Sequence, residues 1–132
     1  MHAIRKKIAD QNTKILYVDD EEINLFIFEA MLGSTFEIYK AGSAADALSI
    51  LESDSAINLI ITDYKMPGKD GITFVKEATA LYPDKVFMML SAFLNNSEIE
   101  SAVELGLLKE CFSKPLDKAY FLKKMHEHGF MN

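Results

Sequence analysis

The chain has 132 residues, of which 49% are hydrophobic and 26% charged, a mixture typical of one folded globular domain and not of a disordered segment. Its formal net charge of -6 at pH 7 disfavours binding to the phosphates of nucleic acid and suits a metal ion or a protein partner. The single cysteine excludes an intramolecular disulfide, and no apolar run reaches the roughly 20 residues of a membrane span, so we expect a cytoplasmic protein without membrane contact.

The first 13 residues are basic but lack the apolar core of a secretory leader. We expect residues 1–13 to form an N-terminal arm, in which Ile4 and Ile8 could belong to a short helix. Residues 14–132 are predicted to form the folded domain.

Five short apolar runs follow in this domain, and each is apolar on both of its faces. They cover residues 15–18, 36–39, 57–61, 86–90 and 110–112. Such runs are typical of strands buried on both sides of a parallel sheet.

Amphipathic stretches alternate with these runs, and their apolar residues recur at helical spacing. The predicted inward-facing residues are Ile23, Ile27, Ala30 and Met31, then Ala44, Ala47, Leu48 and Leu51, then Phe74, Val75, Ala78 and Leu81, then Ile99, Ala102 and Val103, and finally Phe121, Leu122 and Met125. Ser43, Asp70 and Asp117 can cap helices, and residues 97–100 fit a capping box. The alternation predicts an α/β fold of five βα units, a doubly wound sandwich around a five-stranded parallel sheet.

Polar residues stand where the predicted strands end: Asp19 and Asp20, then Asp63, Ser91 and Lys114. In an open α/β sheet, ligands bind beyond the carboxyl ends of the strands, so these side chains are expected to converge. Each of them also has an ordinary structural explanation. Asp20 could cap the first helix, Asp63 could cap a turn, and Lys114 could be a solvated loop residue.

The combination favours a chemical role for these residues. Carboxylates crowded together repel one another, which raises the pKa of at least one unless a cation is bound. Mg²⁺ takes one or two carboxylates together with water and phosphate oxygens. A carboxylate in such a site can attack phosphorus, and an ammonium and a hydroxyl can meet the charge of the transferred group.

Several segments together resemble a response-regulator receiver domain. They are residues 17–21 (YVDDE), residues 63–71 (DYKMPGKDG), the Ser91-Ala92 pair and the Lys114-Pro115 pair. The resemblance extends from about residue 14 to about residue 129, and it implies a flavodoxin-like fold with strand order 2-1-3-4-5.

The resemblance also implies a function in two-component signal transduction. Asp63 would accept a phosphoryl group from a sensor histidine kinase or a phosphotransferase. Lys114 would pair with the phosphoryl oxygens, and Ser91 would move to hydrogen-bond them. The domain would catalyse only its own phosphorylation and dephosphorylation, with no external substrate. It would control a protein partner or effector domain, as a monomer or weak dimer.

A metal site is implied as well. Asp20, Asp63 and the backbone carbonyl of Lys65 would bind Mg²⁺ or Mn²⁺ directly, and Asp19 would bind it through a water molecule. The peptide bond between Lys114 and Pro115 would be cis.

Three positions depart from the family pattern or vary within it. Cys111 stands where the family usually has an aromatic switch residue, so either Phe112 replaces that residue or the domain signals without it. Lys65 and Phe93 occupy the two variable positions that flank the phosphoryl group, and Phe93 is predicted to screen it from water.

On the first helix, Leu25 and Phe26 are left on a second apolar face, either covered by the arm or free to dock a kinase.

Two other functions stay open. One is a Mg²⁺-dependent phosphohydrolase with an aspartyl nucleophile. Lys65 argues against the haloacid-dehalogenase type, which needs an aspartate at that position. The other is a binding module that keeps the fold and is never phosphorylated.

Overall fold

The computed structural model describes residues 12–92 and 94–132. In this part of the chain, strands and helices alternate five times. The strands are β1 Lys14–Val18, β2 Glu37–Ala41, β3 Leu59–Thr62, β4 Val86–Ser91 and β5 Cys111–Ser113, and the helices are α1 Glu22–Leu32, α2 Ala44–Ser53, α3 Gly71–Leu81, α4 Ser97–Glu104 and α5 Lys118–Glu127. The predictions for residues 1–11 and for Phe93 lie outside the described residues.

The five strands form one parallel sheet in the order β2-β1-β3-β4-β5, so the predicted fold is confirmed. The chain reverses its direction of winding between β1 and β3. Val18 at the end of β1 lies opposite Ala41 on one side and Thr62 on the other. Asp19 and Asp63, which follow these strand ends, therefore leave the sheet side by side at the point where open α/β folds bind ligands.

Helices cover both faces of the sheet. Successive strand residues point to opposite faces, so each strand contributes to two separate cores. Ile15 and Tyr17 of β1 belong to the core formed with α1 and α5, whereas Leu16 and Val18 belong to the core formed with α2, α3 and α4. All four side chains are buried. This division confirms the doubly wound arrangement.

The prediction of which residues of α1 face the sheet is wrong. Ile23 and Ile27 are 61% and 48% exposed, and Phe28 and Leu32 are the buried residues. The helix is apolar on several sides, so spacing alone could not identify the face that packs on the sheet. Phe28 is selected by aromatic contacts, because its ring stacks on Tyr17 with the centroids 4.2 Å apart.

The other helices follow the predicted faces more closely, although Leu81 and Val103 at two helix ends are exposed. Ser43, Asp70 and Asp117 accept capping hydrogen bonds as predicted. The cap of α4 is Asn96, one residue before the predicted capping box. Among the described residues, no helix combines the length and apolar character needed to cross a membrane.

Candidate functional site

The structure brings the predicted carboxylates together at the carboxyl edge of the sheet. One carboxylate oxygen from each of Asp19, Asp20 and Asp63 lies within 4.8 Å of the others. Backbone hydrogen bonds fix two of these residues, because the amide of Asp19 donates to Ala41 O at 3.0 Å and that of Asp63 donates to Val18 O at 2.9 Å. Asp20 is exposed, so the cluster is open to solvent on one side.

Asp19 is fully buried and accepts hydrogen bonds from three donors. The hydroxyl of Tyr17 donates to Oδ2 at 2.7 Å, Lys114 Nζ donates to the same oxygen at 2.9 Å, and the amide of Glu21 donates to Oδ1 at 3.0 Å. These donors compensate the desolvation of a buried charge. The sequence interpretation gave Tyr17 no role, although residues two apart on a strand point to the same side.

Lys114 bridges the two buried carboxylates. Its Nζ lies 2.9 Å from Asp19 Oδ2 and 3.1 Å from Asp63 Oδ2. Its amide donates to Ser91 O at 3.0 Å, and its bond to Pro115 is cis, as predicted. Burial alone would lower the pKa of Lys114. The hydrogen bonds to Asp19 and Asp63 and their negative charges outweigh burial, so the pKa of Lys114 is raised above its ordinary value. The ammonium therefore stays charged at neutral pH.

Asp63 is only 9% exposed, and it is one of the residues that line the open side of the cluster. Its Oδ1 accepts from the amide of Tyr64 at 2.7 Å, and its Oδ2 accepts from Lys114. Burial raises the pKa of the Asp63 carboxyl, and the charge of Asp19 adds to this effect, so that together they exceed the opposing effect of Lys114. Crowding was the predicted cause, but desolvation is the larger one.

A close backbone contact holds the loop after Asp63. The amide of Gly71 donates to Tyr64 O at 2.7 Å. A Cβ on Gly71 would lie 2.2 Å from Asp63 O and 3.0 Å from Met89 Cε, so only glycine fits. The sequence interpretation included Gly71 in a motif without a structural reason for it.

An open cleft of about 810 Å³ lies above the cluster. Ser91 is only 1% exposed and does not line the cleft, whose wall at this point is Ala92. Lys65 is exposed and lines the cleft. The lining residues are Asp20, Glu21, Asn24, Asp63, Tyr64, Lys65, Met66, Pro67, Asp70, Ala92 and Lys114.

The donors in this cleft suit a hard divalent cation. Oxygens from an exposed and a buried carboxylate are the ligands that Mg²⁺ prefers, and the cleft leaves room for water and a phosphate group. The adjacent ammonium of Lys114 adds a fixed positive charge for an anionic ligand.

Cys111 and Phe112 lie on opposite faces of the sheet. Cys111 is half-buried against the core of α2, α3 and α4, whereas Phe112 is buried with Phe121 on the face of α1 and α5. The centroids of the Phe112 and Phe121 rings are 5.1 Å apart. Phe112 would have to leave this core to act as an exposed switch.

Comparison with known proteins gives matches over most of the chain. Residues 15–126 match the response regulator receiver domain family. Sporulation initiation phosphotransferase F of Bacillus subtilis is 30% identical over 107 residues, which are 80% of this chain and 85% of that protein. The hydrogenase transcriptional regulatory protein HoxA of Bradyrhizobium diazoefficiens is 31% identical over 76% of this chain, and the match spans only 21% of that longer protein.

Solved structures show the same fold. The signal receiver domain of an HD domain-containing protein from Pseudomonas fluorescens superposes with a TM-score of 0.81 at 25% identity, covering 89% of this chain and 94% of that one. A response regulator receiver domain protein from Clostridium thermocellum gives a TM-score of 0.77 at 26% identity, covering 87% and 92%. Because the family match runs from the second residue of β1 into α5, the chain belongs to the response regulator receiver domain family of two-component signalling.

Proposed function

We propose that this chain is a phosphorylation-controlled switch in which Asp63 accepts a phosphoryl group from the phosphohistidine of a kinase or phosphotransferase. The observation that supports this role is the placement of Asp63. It is the only one of the three clustered carboxylates that lines the cleft and also accepts a hydrogen bond from Lys114. It can therefore meet an incoming phosphorus atom while its charge is held in place.

Asp20, Asp63 and the Lys65 backbone carbonyl would hold Mg²⁺ or Mn²⁺, with Asp19 acting through a water molecule. When bound, the cation supplies positive charge that offsets the charge of the transferring phosphoryl group. Asp20 is exposed at the mouth of the cluster, which suits a ligand that exchanges with solvent.

In the proposed reaction a carboxylate oxygen of Asp63 forms a bond to phosphorus as the phosphorus–nitrogen bond of phosphohistidine breaks. The departing imidazole keeps the electron pair of that bond. Lys114 is already charged and lies within hydrogen-bonding distance of Asp63, so it can follow the negative charge onto the phosphoryl oxygens without a proton transfer. Ser91 would turn from its buried position towards the phosphoryl group. Later attack of water on phosphorus would break the bond between Asp63 and phosphorus, release inorganic phosphate and restore the carboxylate.

An exposed apolar face of α1 lies next to the cleft and is the proposed docking site of the phosphodonor protein. Ile23, Phe26 and Ile27 form this α1 face, and Phe26 is 65% exposed. The predicted patch was Leu25 with Phe26, but Leu25 packs against the core. Asn24 lines both the cleft and a groove of about 320 Å³ beneath Ile27, so a helix bound on the α1 face would place its histidine near Asp63.

The intact mass after incubation with acetyl phosphate and Mg²⁺ tests phosphorylation at Asp63. We expect the chain to gain one phosphoryl group, and we expect no gain in Asp63→Asn or in EDTA. An unmodified parent chain would contradict the proposal and favour an unphosphorylated binding module. Continuous phosphate release from an aryl phosphate ester would instead indicate a phosphohydrolase.

The docking proposal needs a separate assay. Phe26→Ser should slow transfer from a histidine kinase that phosphorylates the parent chain, and it should leave labelling by acetyl phosphate unchanged. Leu81→Ser is the matched control, because Leu81 is as exposed as Phe26 but ends α3. Equal transfer rates for the two variants would rule out docking on the α1 face.

A further inference from the structure

Tyr64 connects the loop of Asp63 to α4 through hydrogen bonds of its backbone and its side chain. Its amide donates to Asp63 Oδ1 at 2.7 Å, and its hydroxyl donates to Glu98 Oε1 at 2.7 Å. Its ring packs against the core that α2, α3 and α4 share. One residue therefore contacts both the candidate phosphoacceptor and a helix that begins more than thirty residues later in the chain.

Glu98 lies in the first turn of α4, where few other contacts hold the helix. This helix has eight residues, of which only Ile99 and Ala102 are buried. Asn96 caps it by accepting from the amides of Glu98 and Ile99 at 2.7 and 3.1 Å. A short helix with little buried surface is held weakly, so one additional hydrogen bond to its first turn affects its position.

The Tyr64 side chain is half-buried, whereas Glu98 is exposed, so the hydrogen bond between them lies at the protein surface. A small displacement of either residue is therefore enough to break it.

Phosphorylation of Asp63 would act on this connection in two ways. The carboxylate oxygen that accepts from the Tyr64 amide would become part of a neutral acyl group, which is a weaker acceptor than a carboxylate. The phosphoryl group would carry a charge of about −1.5 to −2 where the carboxylate carried −1, so the cleft that Asp70 also lines would become more negative by about one unit or less. The weaker acceptor disfavours the present position of the Tyr64 amide, and the added negative charge disfavours the approach of the Glu98 carboxylate that accepts from the Tyr64 hydroxyl.

We propose that the Tyr64–Glu98 hydrogen bond holds the first turn of α4 in its unphosphorylated position and that phosphorylation of Asp63 weakens this bond. The inference rests on the proposed function of Asp63. It gives the domain a path from the acceptor to α4 that needs no aromatic ring at position 111. By linkage, a bond that favours the unphosphorylated state must lower the affinity for a phosphoryl group by the same factor.

Amide hydrogen exchange of the full chain, with and without beryllofluoride and Mg²⁺ as the phosphoryl mimic, tests the proposal. In the parent chain we expect beryllofluoride to speed exchange in the first turn of α4 by about fivefold, the effect of losing one hydrogen bond. In Tyr64→Phe the same amides should exchange faster before any addition and should respond little. The affinity of Tyr64→Phe for beryllofluoride should rise by a similar factor.

Two variants distinguish the bond from a general effect of losing a hydroxyl. Tyr39→Phe removes another tyrosine–glutamate hydrogen bond, to Glu37 within β2, and should behave as the parent chain does. Glu98→Gln keeps an acceptor oxygen and should retain slow exchange, whereas Glu98→Ala should match Tyr64→Phe. The glutamate variants also serve if Tyr64→Phe does not fold.

The outcomes separate this inference from the proposed function. A parent chain that binds no beryllofluoride and takes up no phosphoryl group contradicts the function assigned to Asp63. A parent chain that binds beryllofluoride, with Tyr64→Phe and Glu98→Ala showing parental exchange and affinity, overturns the role of the Tyr64–Glu98 bond alone.

Discussion

Gly71 lies against the backbone of Asp63 so closely that a Cβ at position 71 would be 2.2 Å from the Asp63 carbonyl oxygen. The hydroxyl of Thr62 donates to that same oxygen at 2.9 Å, so the oxygen has little freedom to move. The loop that carries the candidate phosphoacceptor is therefore closed against the start of α3 by a contact that requires glycine.

Gly71→Ala should destabilise the fold and displace Asp63, because either the loop or α3 must shift to admit a methyl group. We expect a loss of about 1–3 kcal/mol in the free energy of unfolding, the usual cost of overpacking, with slower labelling by acetyl phosphate. Urea denaturation and intact mass measure the two effects. Gly42→Ala is the control, since a Cβ there meets no atom within 4 Å. Equal stability of the two variants would contradict the contact.

Tyr17→Phe should destabilise the fold through Asp19. The substitution keeps the ring that stacks on Phe28 and removes one of the three donors to a fully buried carboxylate. Loss of a hydrogen bond to a buried charge costs about 1–3 kcal/mol. Urea denaturation should show this loss, whereas Tyr39→Phe, on a partly exposed ring, should stay within about 0.5 kcal/mol of the parent. If Tyr17→Phe unfolds at the same urea concentration as the parent chain, the Tyr17 hydroxyl is not needed to stabilise the buried Asp19 carboxylate.

The fold could be predicted because each strand and helix carries its own local signal. Short apolar runs identify the strands, and Ser43, Asp70 and Asp117 identify helix starts by their capping side chains. The inward face of α1 could not be predicted in this way. Ile27 and Phe28 are both apolar, and the choice between them depends on Tyr17 and on the packing of a distant helix.

The candidate site shows the same division between local and distant information. Asp19 and Asp63 could be placed together because strand ends converge in a parallel sheet, whatever the details of packing. The exclusion of a side chain at Gly71 depends on how a loop returns over the sheet, and the pairing of Tyr64 with Glu98 depends on where α4 lies. Neither distance is encoded in a spacing along the chain.

Mg²⁺ should stabilise the folded chain if the carboxylate cluster binds it, since a ligand of the native state alone raises the free energy of unfolding. A concentration of one hundred times the dissociation constant corresponds to about 2.7 kcal/mol. Thermal unfolding in Mg²⁺ and in EDTA measures the effect. Asp20→Asn should abolish most of the shift while leaving the EDTA value nearly unchanged, because Asp20 is exposed. Asp84→Asn, at an exposed position outside the cluster, should keep the full shift. The same shift in both variants would place the cation elsewhere.

Cys111 should react slowly with iodoacetamide at neutral pH, because the thiolate is the nucleophile and burial, aided by the charge of Glu110, raises the pKa of this thiol to about 11. Raising the pH towards that value increases the thiolate fraction and therefore the reaction rate. The alkylation rate should climb about tenfold per pH unit from pH 7 to about 10, without levelling near the value of about 8.5 of a free thiol. Intact mass gives the rate without ambiguity, as the chain has one cysteine.

The chain in urea is the internal control for this measurement, because its unfolded thiol should level near that free value. A folded chain whose rate also levels there would have a thiol open to solvent. Cys111 could then not be packed against the core of α2, α3 and α4, where the structure places it. Since Lys114 directly follows β5, a displaced Cys111 would also mean a different position for the Lys114 ammonium.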